Sequence, residues 1–85
     1  MANRIKVGDI FFTRETMAGK EKGWIVLQVT RIEEGYYYWG VLKAEKPKRW
    51  EGIYDCNWDR GLFEKFGCIK LDKKDWEKKL LAYVI

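Results

Sequence analysis

The chain contains no histidine and no serine. Without them there is no Ser–His or Cys–His nucleophilic pair, no imidazole general base and no imidazole metal ligand. Catalysis would fall to Asp, Glu, Lys, Arg, Tyr, Thr or Cys, and a non-enzymatic role is the expectation. Proline occurs once and no low-complexity tract is present, so neither a linker nor a disordered tail is expected. Long apolar runs are missing as well. The stretch "MANRIKVGD" lacks the apolar core of a signal peptide, and no run approaches the ~20 residues of a bilayer-crossing helix. The expectation is a soluble, cytoplasmic protein with no membrane partner. Cysteine is scarce: Cys56 and Cys68 read as small core residues in a reducing compartment, with a disulfide left open for an exported chain. Zinc would need its remaining ligands from carboxylates alone, so no metal and no cofactor is expected.

What is present suits one domain spanning residues 1–85. Apolar residues make up 47% and charged residues 35%, the balance of an ordinary globular fold. Aromatic content is 16%, with five Trp, so a short chain can build its core from few positions. The segment "RIKVGDIFFTR" reads as a first strand, with a kink or bulge at Gly8-Asp9 and with Ile10 and Phe12 on one face. A polar loop, "ETMAGKEKG", leads to "WIVLQVTRIE". There Ile25, Leu27 and Val29 form a purely apolar core face, and Trp24, Val26, Gln28 and Thr30 lie opposite. Glu33-Glu34-Gly35 is a tight hairpin turn into a strand from Tyr36 to Glu45. Its alternation puts Tyr37, Trp39, Val41 and Lys43 on one face and Tyr36, Tyr38, Gly40, Leu42 and Ala44 on the other. The four consecutive rings are therefore split two and two. Gly40 in mid-strand marks a bulge or a close backbone approach.

Beyond the loop "KPKRWEG", the stretch "IYDCNWD" reads as a short strand, "RGLFEKFG" as a turn or single helical turn, and "CIKL" as a short strand. A C-terminal helix is expected at about residues 72–83, with Asp72 as N-cap and Asp75 in the capping-box position. Trp76, Leu80 and Tyr83 form its apolar stripe. The sum is mainly β with one helix: a small antiparallel five-stranded SH3-like or OB-like barrel capped by a C-terminal α-helix.

Three constellations bear on function. The first is aromatic and basic. Tyr37, Trp39, Trp50 and Trp58 are candidates for stacking on bases, and Lys46, Lys48, Arg49 and Arg60 for neutralising phosphates. The net charge of +4 has the matching sign. The plain alternative is rings in a core and cations in water. The second is Asp55, Asn57 and Asp59, spaced to share a strand face as ligands of a hard cation, although such residues more often cap turns or pair with cations. The third is a loose resemblance: "IKVGDIFFTR", a polar loop and "GWIVLQVTR" resemble the opening third of the PemK/MazF family of RNA-cleaving toxins. That resemblance implies the barrel. The family's catalytic pair is an Arg opening the second strand and a later Thr or Ser. Here Lys22 stands at the first position and no Thr follows Tyr38.

These residues point to a small binding module whose preferred ligand is nucleic acid or a nucleotide. The alternative is a stand-alone protein-binding or inhibitory module using the same Tyr, Trp and Arg residues as anchors. A toxin-like ribonuclease ranks third. An open edge strand would also allow a homodimer.

Overall fold

In the computed structural model, which describes residues 4–14, 23–45, 48–66 and 68–84, five strands form one antiparallel sheet. They are β1 (Ile10–Thr13), β2 (Ile25–Glu33), β3 (Tyr36–Ala44), β4 (Cys56–Asp59) and β5 (Ile69–Leu71), in the spatial order β4-β3-β2-β1-β5. A short helix, α1 (Arg60–Lys65), joins β4 to β5, and α2 (Trp76–Val84) follows β5. The mainly β architecture with a terminal helix is as the residue pattern implies. The barrel is corrected to an open sheet, because β4 and β5 are its two edges. Both edge strands are short, and a side chain rather than a ladder bridges the gap between β4 and β1. Phe63 of α1 packs edge-on against Phe11 of β1, Tyr37 of β3 and Trp58 of β4, with ring centroids 5.3, 5.6 and 5.3 Å away.

The β2–β3 hairpin is the spine. Its turn puts Glu34 at φ 47° and Gly35 at φ 85°, the double positive φ that suits the right-handed twist of a two-residue connection. Two bulges bend it. Thr30 is an extra residue between the pairs Val29↔Trp39 and Arg31↔Tyr38, and Leu42 is extra between Leu27↔Val41 and Val26↔Lys43. The second bulge reverses the inward sense of β3: Ala44 enters the core, while Lys43, expected on the face of Trp39 and Val41, is exposed.

Both faces of the central strands are buried. Ile25, Leu27 and Val29 join Phe11, Trp39, Val41, Trp58 and Phe63 in the larger cluster. Val26 is equally buried on the other face, with Ile10, Phe12, Leu71 and Leu80 beneath α2. The expectation of a single core face on β2 therefore covers half of its burial. The helix begins later than expected: Asp72 accepts from Lys74 N at 2.8 Å in a local turn. The first helical bond runs from Lys79 N to Asp75 O, at 2.9 Å, so Asp75 and not Asp72 stands at the N-cap position. Among the described residues no helix is long and apolar enough to cross a membrane.

Candidate functional site: two adjoining clefts

On the face of the larger cluster the sheet carries two clefts. The first, of about 460 Å³, is floored by Trp39 and Val41 of β3 and Trp58 of β4. Trp50 and Ile53 wall it on one side and Leu62 of α1 on another, with Cys56 and Asn57 at the β4 side. Its shape follows from how the chain leaves β3 and returns. After a 3-10 turn at Lys48–Trp50, residues 50–53 lie back along the strand they left. Val41 N donates to Ile53 O at 2.8 Å, Gly52 N to Val41 O at 2.9 Å, and Ala44 N to the Glu51 carboxylate at 3.0 Å. Gly40 admits this return: a Cβ there would stand 3.2 Å from Ile53 O, closer than most side chains tolerate. The close backbone approach read from Gly40 is thus what places the cleft wall.

Trp39 and Trp58 are only 2% and 3% exposed, their ring centroids 4.7 Å apart. They are a cleft floor, not rings displayed to solvent. Among the described residues, the buried Trp39 indole N–H has no hydrogen-bond partner. Leaving such a donor unpaired costs about 1–3 kcal/mol. Trp50 is half-buried.

The second cleft, of about 470 Å³, has Tyr37 and Ile32 on its sheet side. Arg60 stands at the start of α1, and the segment Arg4–Val7 forms the opposite wall. That segment is held by a turn. Lys6 N donates to the Asp9 carboxylate at 2.8 Å, Asp9 N donates to Lys6 O at 3.0 Å, and Gly8 adopts φ 94° between them. Asp9 is buried, with the Lys70 ammonium 3.5 Å away. Three cations, Arg4, Lys6 and Arg60, therefore line one hollow with a tyrosine ring. Arg60 pairs with Glu64 at 3.4 Å, an exposed i,i+4 contact that a phosphate can outcompete at small cost. The two clefts lie on either side of a cross-strand pair, Tyr37 of the second opposite Trp58 of the first in the β3–β4 ladder, with Phe63 of α1 packed on both rings between them.

The expected stacking set is thus divided. Trp39, Trp50 and Trp58 come together in the first cleft, and Tyr37 joins Arg60 in the second. Arg49 is exposed in the turn beside Trp50 and lines neither cleft. Lys48 is described in its backbone only, and Lys46 and Lys22 lie outside the described residues. Arg4 and Lys6 were not singled out as site residues. The clue to them was Gly8-Asp9, which turns the preceding segment back over the sheet.

The thiols are unactivated. Burial, helped by the nearby Asp55 carboxylate, pushes Cys56 up from its ordinary pKa. Burial pushes Cys68 up to about 12, outweighing its hydrogen bond with Thr13. Both are free cysteines and stay protonated, hence poor nucleophiles, at neutral pH. Of the acidic trio, Asp59 caps α1, accepting from Leu62 N at 3.0 Å, and Asp55 lies outside β4 with φ 64°. Among the described residues, no group of three or more Cys, Asp or Glu is placed to hold a metal ion.

No protein-family model, curated protein or solved structure matches this chain. The chemistry of the two clefts carries the functional reading by itself.

Proposed function

We propose that this protein is a non-enzymatic binding module for nucleic acid or a nucleotide, taking a base into the Trp39/Trp50/Trp58 cleft. One observation carries the reading: an apolar, three-tryptophan cleft of base-accommodating size, walled by the half-buried Trp50. A heteroaromatic base offers a flat face for Trp50, and it needs no charge inside the cleft. The cations beside the cleft suit the phosphate. Cytoplasmic placement fits the two unpaired thiols.

The experiment is a titration of mononucleotides and short single strands into the protein, followed by tryptophan fluorescence and calorimetry. Saturable quenching is expected. Trp50→Ala should weaken binding by about 5- to 150-fold, the range for loss of one stacking ring. Absence of quenching by any base-bearing ligand at millimolar concentration would overturn the reading.

A protein partner is the second reading. It is favoured by Tyr54, 76% exposed, standing beside Leu42 around a small hollow of about 130 Å³ between them. An aromatic anchor of that kind would bind with little dependence on salt, unlike phosphate recognition.

A further inference from the structure

We infer that the ligand is a single strand of two or more nucleotides, whose backbone runs from the tryptophan cleft into the cationic cleft. This rests on the base-binding reading above and extends it. The observation behind it is the adjacency of two hollows of different chemistry. The first is apolar and, among the described residues, has no charged side chain in its lining. The second gathers Arg4, Lys6 and Arg60 around Tyr37. The Tyr37↔Trp58 pair is the boundary, and side chains directly opposite in a ladder are about 5 Å apart at their Cβ atoms. Phe63 of α1 packs on both rings of that pair, so the strand crosses above it at the first turn of α1, where Arg60 lines the second hollow and Leu62 the first.

A mononucleotide with its base over Trp39 would leave most of the second hollow unused. A strand continuing past Trp58 meets the Arg4, Lys6 and Arg60 side chains with its next phosphates, and Tyr37 offers a ring for the next base. Arg4 and Lys6 sit on a wall that the fold builds deliberately. The Asp9 carboxylate fixes Lys6 N, and Gly8 O accepts from the Gln28 side chain at 3.1 Å, tying the turn to β2. Neither residue belongs to the buried clusters, and Arg4 and Lys6 are both exposed.

The test compares one mononucleotide with di-, tetra- and hexanucleotides of RNA and DNA, at 50 and 200 mM salt, on the wild type, Trp50→Ala and the double variant Arg4→Ala/Lys6→Ala. Stacking of a second base on Tyr37 should tighten binding by roughly fivefold or more from mononucleotide to dinucleotide. Three phosphate contacts on a single strand give a log–log salt slope near −2, so oligonucleotide affinity should fall about 15- to 20-fold across that salt step. The double variant should remove about two-thirds of that slope and weaken the oligonucleotides far more than the mononucleotide, whose single phosphate meets fewer of the three cations; an unchanged urea midpoint is its folding control. Equal binding of mononucleotide and oligonucleotide would overturn the strand path while leaving the base site standing. Oligonucleotide binding that Trp50→Ala does not touch would instead sink the base site, and the path with it.

Discussion

One sheet, two faces: the face under α2 is closed, and the face under α1 is not. On the closed side Ile10, Phe12, Val26 and Leu71 meet Leu80, and Trp24, Trp76 and Val84 pack around them. The Tyr83 ring stacks on Phe12 at 5.3 Å, and the Arg14 guanidinium donates to the Tyr83 carbonyl, clamping the end of α2 to β1. On the other side α1 has six residues and contributes one fully buried side chain, Phe63. A cover that short spans only part of the sheet, and the two clefts are what it leaves uncovered. Each face buries aromatic rings, so ring count alone does not distinguish a core from a ligand site. What distinguishes them is how far the covering element reaches.

The largest effect expected from this contrast is on stability. Phe12→Ala, beneath α2, should cost about 3–5 kcal/mol in urea unfolding, a large share of what a domain this size has. Phe12→Leu, costing below about 1.5 kcal/mol, serves where the alanine variant does not fold. Trp50→Ala removes a larger but half-buried ring and should cost only about 1–2 kcal/mol, while carrying the loss of ligand binding. Equal destabilisation by the two would mean that Trp50 is core, and the distinction between the faces would collapse.

The contrast was partly legible in the sequence. Alternation in "WIVLQVTRIE" and the Glu34-Gly35 turn specify the hairpin, because both are local and their side-chain periods are strict. Gly40 announced the return of residues 50–53. The bulges at Thr30 and Leu42 were not legible, since an extra strand residue needs no special side chain. Lys43 and Ala44 therefore exchange roles without a mark in the sequence. Asp72 and Asp75 are both good caps, and the choice between them depends on where Trp76 must land on β1 and β5. The burial of Trp39 and Trp58 depends on α1 and on the segment around Trp50, contacts distant in sequence, so pattern alone could group the rings but not say which of them face water.

A second, smaller effect concerns the open face alone. The Cys68 thiol is pushed up to about 12 by burial, above the ordinary thiol value that it recovers on unfolding. The folded state therefore holds the proton more tightly, and the stability this contributes is fully present below about pH 8.5. As pH rises from there toward 12 the unfolded chain loses its proton first, so stability falls by at most about 1.4 kcal/mol per pH unit. Cys68→Ala should flatten that part of the profile when urea midpoints are compared at pH 8 and pH 10. An unchanged difference between wild type and variant at the two pH values would show that the edge of the open face is wetter than its packing implies.

The smallest effect belongs to neither face and calibrates both. Glu34 holds φ 47° at the first position of the hairpin turn, a conformation that costs most L-residues energy and that asparagine adopts readily. Its side chain is exposed, so exchange disturbs no packing. Glu34→Asn, giving Asn-Gly at the turn, should raise stability by about 0.5–1 kcal/mol in urea unfolding and leave ligand affinity unchanged. The gain should appear equally in the wild type and in Trp50→Ala, because the turn and the cleft share no side chain and distant sites add. A gain that disappears in Trp50→Ala would mean that the hairpin tip and the cleft wall are coupled through β3, and the bulge at Leu42 would then be the place to look for the coupling.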